Sequence, residues 1–199
     1  MSSATLRDYR EGEFVTLSGE AWPYLAVILS GSFQALKESL EGRVLAVLTL
    51  ERGDIFWGLT FFRPDALMPV SLKADSEGSL ASWSDDVMVP ILKAEGEALW
   101  ALCQQLVGRM EQASTIVEDL AFQPVAGRLA KLLLRQYPSA GSEPVQRDMT
   151  LDEMAARVGT TREMVCRILY RFADDDLIHI TRTEFTLVDR TKLARLVGE

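Results

Sequence analysis

Two helix-start signatures lie ten residues apart near the C-terminal end, and they constrain this fold more than any other feature of the sequence. Thr150 with Glu153, and Thr160 with Glu163, each have the spacing of a capping box, in which a threonine and a glutamate satisfy the free N–H groups of one helix start. So close a pair leaves room for one short helix, a turn and a second helix. Leu151, Met154, Ala155 and Val158 would face inward on the first, and Val165, Ile168, Leu169 and Phe172 on the second. Ala155 is small where the two helices would cross, and Gly159 stands where the turn needs a permissive backbone. That combination is the helix-turn-helix pattern.

The second helix sorts by angle. At about 100° per residue, Glu163, Cys166, Arg167 and Tyr170 share one face opposite the apolar four, with Arg162 at its N-terminal edge. The plain reading is a surface helix supported by a Glu–Arg pair four residues apart. On the second helix of a helix-turn-helix, base readout is favoured instead. Arginine pairs bidentately with guanine, and glutamate accepts from the cytosine amino group. Thr150, Thr160 and Thr161 lie near helix N-termini, where hydroxyls and backbone N–H groups suit DNA phosphate. The following DLIHITRTEFTLVD reads as two short strands turning at about Arg182–Glu184, which is a wing, and Asp189 caps a final helix.

From Gly12 to about Pro90 the signals are for strands: short apolar runs rich in β-branched residues, punctuated by Gly31, Gly42 and Gly53. A small sandwich or barrel-like roll is expected. From Glu95 the period changes. Leu99, Cys103, Leu106, Met110, Ala113, Val117 and Leu120 alternate by four and three residues, a heptad seam. It reads either as one amphipathic helix lying on the roll or, by preference, as a parallel seam between two copies. Pro124 interrupts the helix, a further helix runs to about Gln136, and PSAGSEP (138–144) reads as a loop or hinge.

The 199 residues carry a formal net charge of −8, unevenly spread. Residues 1–145 hold 12 Lys/Arg against 19 Asp/Glu, whereas residues 146–199 hold 9 against 10. Any attraction to nucleic acid must therefore come from local placement and not from bulk charge. No stretch is long and apolar enough to be a membrane span, and the polar N-terminus has no signal core, so a cytoplasmic location is expected. Cys103 and Cys166 stand far apart, which disfavours a disulfide framework or a zinc site.

The order of parts resembles the cyclic-AMP receptor protein/FNR (Crp/Fnr) family of bacterial transcription regulators. The resemblance covers nearly the whole chain and is most specific in ERGDIFWG, LAFQPVAGRLAKLLL and VGTTREMVCRILYRF. It implies an α+β fold: a cyclic-nucleotide-binding-like β-roll (1–94), a dimerisation helix (95–122) and a winged helix-turn-helix (123–199). It implies double-stranded DNA, a second copy and RNA polymerase as partners. The family's R-E-x-x-x-R triad falls on Arg162, Glu163 and Arg167, which by resemblance read a TGTGA-like half-site on a palindrome. FNR-type members have serine just before the last arginine, where this chain has Cys166.

The sensor half departs from its relatives. Cyclic-AMP-binding members carry Gly-Glu and then Arg-Ser in the roll. Here those positions hold Trp57-Gly58 and Met68-Pro69, or after a one-residue shift Gly58-Leu59 and Pro69-Val70. Neither register supplies the arginine that a buried cyclic phosphate needs. The Thr-Ser pair of those members corresponds to Ala113-Ser114. Cyclic AMP is therefore not expected. Iron–sulfur members need four cysteines, and the only histidine, His179, is in the wing, so neither a cluster nor haem is expected. Trp57, Phe61, Phe62 and Met68, with Ser114, read either as the lining of an apolar effector pocket or as solid core, and core is favoured. Cys103 on the seam is small filler or a redox-switchable interchain disulfide, and filler is favoured.

Two other functional classes fit the sequence less well. A ligand-sensing or protein-interaction module would leave the exposed arginines without a purpose. An enzyme would need a P-loop, a dinucleotide fingerprint or a nucleophile with a histidine base, and none is present. Asp85-Asp86 reads as a solvated turn and not as a catalytic pair.

Overall fold

The computed structural model describes residues 4–138, 144–181 and 183–197. The fold is α+β and divides into two compact units, one of Met1–Glu38 with Ala46–Ala113 and one of Ser39–Leu45 with Ser114–Glu199.

The strands of the roll are β1 (Thr5–Tyr9), β2 (Phe14–Thr16), β3 (Tyr24–Ser30), β4 (Phe33–Glu38), β5 (Val44–Leu50), β6 (Ile55–Trp57), β7 (Ser71–Ala74) and β8 (Gly78–Ser84). They form two four-stranded sheets, ordered β1-β8-β3-β6 and β2-β7-β4-β5. The consecutive strands β3 and β4 thus belong to different sheets. Gly31, at φ +73°, makes the corner between them, and a Cβ there would strike the Glu77 carbonyl. Along β7, Leu72 and Ala74 are buried while Ser71 and Lys73 are only half-buried, the alternation of a sheet with one face on a core. Phe33 fills the space between the sheets and meets Tyr9 edge-on, ring centroids 5.8 Å apart. Burying a side chain of this kind is worth about 1.5–3 kcal/mol.

Strands do not continue to Pro90. They stop at Ser84, and Asp85–Ala94 is a helix, α1, with Pro90 inside it. Val87 and Val89 favour a strand, but packing decides otherwise. Leu92 is buried against Leu25, Phe61 and Leu102, with Met88 and Val89 beside them. Asp85 and Asp86 form the first turn of α1, where negative charge suits the helix dipole, and Ser84 bonds to Asp86.

A single helix, α2 (Gly96–Phe122), then runs for 27 residues. Pro124, at φ −57°, caps the start of α3 (Val125–Gln136). The second unit continues with β9 (Val145–Gln146), α4 (Leu151–Val158), α5 (Arg162–Asp174), β10 (Ile178–Ile180), β11 (Glu184–Leu187) and α6 (Arg190–Arg195). Asp189 caps α6 by accepting from the Lys192 N–H at 2.9 Å. Strands pair in the order β10-β11-β9, so the wing has a third strand that the sequence did not suggest. The loop expected at 138–144 falls mostly, and the wing-turn residue Arg182 wholly, outside the described residues.

Leu129, Leu133, Met154, Phe172, Phe185 and Leu193 lock α3, α4, α5, the wing and α6 into one core. Arg128 ties the end of α2 to the helix-turn-helix. Its Nε donates to the Val158 carbonyl at 2.8 Å, and its Nη1 donates to the carbonyls of Gln123 at 2.6 Å and Asp119 at 3.3 Å. Lys131 clasps both Asp119 carboxylate oxygens at 2.8 and 2.9 Å. Among the described residues, no helix is long and apolar enough to cross a membrane.

Candidate nucleic-acid interface

Thr150 caps α4 with the full reciprocal box. Its Oγ1 accepts from the Glu153 N–H at 3.2 Å, and the Glu153 carboxylate accepts from the Thr150 N–H at 2.6 Å. Gly159 ends the helix in the left-handed conformation, φ +66° and ψ +50°, and a Cβ there would lie 2.7 Å from Leu120 Cδ2. The second capping box does not form as expected. The cap of α5 is Thr161, not Thr160, and its Oγ1 accepts from the Met164 N–H at 3.3 Å. The turn after Gly159 consumes one residue more than the simple spacing allows. Glu163 thereby becomes the second residue of α5. Bonds from its own backbone N–H and from Thr161 hold its carboxyl below the usual carboxylate range.

On α5, Val165, Ile168, Leu169 and Phe172 are buried, and Glu163, Arg167 and Tyr170 are exposed with Cys166 half-buried between them. Arg162, Glu163, Cys166, Arg167 and Tyr170 line one open concavity, joined by Arg171. The basic groups are held, not free to wander. Arg162 Nη1 pairs with Asp152 Oδ2 at 3.0 Å, and Arg167 Nη2 rests on Met164 Sδ at 2.8 Å. Arg167 therefore does not use Glu163 in the surface pair of the plain reading. Thr160 is half-buried, whereas Thr150 and Thr161 are exposed but already engaged in capping.

On α2 the heptad positions Leu99, Cys103, Leu106, Met110, Ala113, Val117 and Leu120 are all exposed in the single chain, Met110 at 71%. Trp100, Val107 and Phe122 extend this uncovered apolar surface.

The roll contains a cavity of about 260 Å³. Val47, Leu48, Ile55, Phe56, Trp57 and Val70 form most of its wall, and Arg109, Gln112 and Ala113 of α2 close it. Of the residues named as a pocket lining, only Trp57 is there. Phe61 is turned by the 3-10 segment Leu59–Phe61 into the cluster with Leu25, Leu92 and Leu102. Phe62 lies outside, 47% exposed, stacked edge-on against Phe61. Met68 is solid core, and Ser114 is one step round the helix from Ala113 and exposed. The roll supplies no arginine to the cavity, but α2 supplies Arg109. Arg109 lies seven residues, two helical turns, after Leu102, whose burial only the fold reveals.

A family model for the Crp-like helix-turn-helix domain matches residues 127–196. The cAMP-activated global transcriptional regulator Vfr of Pseudomonas aeruginosa is 30% identical over 181 residues, covering 87% of this chain and 85% of Vfr. The chain belongs to the Crp/Fnr family of transcription regulators. The cAMP-activated regulator CRP of Pasteurella multocida is 29% identical over 182 residues, covering 89% of this chain and 87% of its own. In fold, the Crp/Fnr chain superimposes on the c-di-GMP-responsive regulator CLP of Xanthomonas campestris with a TM-score of 0.83 at 24% identity, covering 94% of this chain and 95% of that one. As a Crp/Fnr member it is a transcription regulator with a helix-turn-helix DNA-binding domain, and its relatives are regulators, not enzymes.

Proposed function

We propose that the chain is a homodimeric, cytoplasmic regulator that binds a palindromic TGTGA-like site without cyclic AMP. The observation that carries DNA readout is the exposed face of α5, with Arg162, Glu163 and Arg167 over a fully buried apolar face. Arg162 and Arg167 read guanine edges and the ionised Glu163 accepts from cytosine, with Cys166 and Tyr170 tuning the flanking positions. Thr150, Thr160, Thr161 and nearby N–H groups meet phosphate. Dimerisation through α2 is supported by its uncovered heptad seam, and it sets two reading helices on one palindrome. The roll (1–94) then acts as sensor, 95–122 as dimer helix and 123–199 as reader, with RNA polymerase as the onward partner.

Vfr and the P. multocida CRP are cAMP-activated by name. Independence from cyclic AMP is supported here by the cavity lining. Among the described residues, Arg109 and Gln112 are its only polar lining, too few for a purine, a ribose and a phosphate together. The test is selection of bound sequences from a random DNA pool by protein purified without ligand. Enrichment of TGTGA-like half-sites in inverted repeat, with affinity unmoved by added cyclic AMP, is expected. Binding that appears only with cyclic AMP, or no enrichment at all, would overturn the reading.

A further inference from the structure

Arg147 follows β9 directly, and two hydrogen bonds fix where its charge sits. Its backbone N–H donates to the Thr183 carbonyl at 2.7 Å, beside the turn of the wing. Its Nε donates to the Met149 carbonyl at 2.9 Å, one residue before the cap of α4. The neighbouring carboxylate is engaged elsewhere, since Asp148 accepts from the Tyr137 hydroxyl at 2.6 Å and from Gln136 Nε2 at 2.7 Å. Among the described residues, Arg147 Nη1 and Nη2 make no hydrogen bond or ion pair, and both remain open to solvent. A purely structural anchor needs only Nε, so the outer edge of the guanidinium fork is left over.

Arg147 lines a groove of about 310 Å³ between α5 and the wing. Cys166 and Tyr170 of α5 form one wall, and Ile180 and Thr181 of the wing form another. Cys166 and Tyr170 also line the concavity of the reading face, so the groove continues that face toward the wing. Among the described residues, its lining holds no carboxylate, and Arg147 carries its one charge.

We infer that Arg147 grips a backbone phosphate of bound DNA, on the strand that passes between α5 and the wing. This rests on the reading that α5 lies in the major groove. That groove is about 12 Å wide and is filled by one helix, so a cation at the flank of the helix faces the phosphate wall and not the base edges. The outer edge of the fork matches two phosphate oxygens. The bond from Nε to Met149 holds the side chain in place beforehand, which lowers the entropy lost on contact. In a chain of formal net charge −8, such a contact adds attraction at one point against the repulsion of the whole. It contributes affinity and register but carries no sequence information.

Fluorescence anisotropy of the full chain on its selected duplex and on a scrambled one, across about 50–200 mM salt, tests the inference. Arg147→Gln should weaken both complexes by a similar factor and reduce the slope of log affinity against log salt by about 0.9 for each copy bound. Preference among single-base variants should not move. Arg147→Lys should restore most of the slope, because it keeps the charge. A methylphosphonate scan, which neutralises one phosphate at a time, then locates the contact. At one backbone position in each half-site, neutralisation should weaken the natural protein several-fold and leave Arg147→Gln unaffected. An unchanged slope in Arg147→Gln, a loss confined to the selected duplex, or no such position in the scan would overturn the inference. An equal loss of slope in Arg147→Lys would do so too, because it marks a structural defect and not a missing charge. The slope is also read on scrambled DNA, so a failure to enrich TGTGA-like sites leaves this test readable. Failure here leaves base readout by Arg162 and Arg167 standing.

Discussion

Arg162 Nη1 lies 3.0 Å from Asp152 Oδ2, so the first residue of α5 is tied back to the first turn of α4. Both side chains are more than half exposed, and such a pair adds only about 0–1 kcal/mol to stability. To touch DNA, Arg162 must exchange this carboxylate for a base or a phosphate. Asp152→Asn is expected to leave the melting temperature nearly unchanged and to tighten binding to a TGTGA-containing duplex several-fold at low salt. Fluorescence anisotropy reads the affinity, and an unchanged value would show that Arg162 keeps Asp152 when DNA is bound.

Arg167 pays no such toll, because its contact is a thioether. Arg167→Ala should cost about 1–3 kcal/mol on the specific duplex and relax preference at one base pair, measured by competition with single-base variants. Equal losses on specific and random DNA would contradict base readout.

Leu106 is exposed in the single chain and central on the α2 seam. Leu106→Glu should shift sedimentation equilibrium toward monomer while the circular dichroism of the roll stays as it was. A dimer of unchanged strength would rule out the seam.

Gly159 is a conformational requirement. At φ +66° an L side chain costs about 1–2 kcal/mol, and its Cβ would also press on Leu120. Urea unfolding of Gly159→Ala should show at least that loss.

Tyr137 predicts an alkaline limit. Burial, and then the hydrogen bond and charge of Asp148, push its phenol well above the ordinary value of 10.0. The folded state thus holds this proton more tightly than the unfolded chain does. The stabilisation is complete below about pH 10 and declines as pH rises through the range above it. Thermal melts between pH 8 and 11 should show that decline, and Tyr137→Phe should lose it, along with about 1 kcal/mol at neutral pH.

The helix-turn-helix was legible because local signals agree there. Capping threonine, small crossing residue, turn glycine and a 3.6-residue apolar period all name the same fold, and each is written within a dozen residues. What escaped depends on distant partners. Val87–Pro90 has strand-like composition, yet Leu25 and Leu102 draw the neighbouring Leu92 into a helix. β9 is two residues long and exists only because β11 offers it an edge. Hydrophobicity groups Phe61 and Met68 with Trp57, but only Trp57 lines the cavity, a distinction of direction that composition does not carry. Arg109 is not legible in the sequence, because a charge on a helix usually belongs to water and nothing local reveals that the roll shields this one.

Ala113 is part of the cavity wall and also of the apolar seam. On the proposed reading, filling the one and covering the other would act on a single helical turn, and the two equilibria would be linked. By reciprocity, whatever factor a ligand applies to the dimer constant, dimerisation applies to the ligand's. An affinity measured on dilute chains and one measured on concentrated chains would then be different numbers, and protein concentration itself would be an input that this regulator senses.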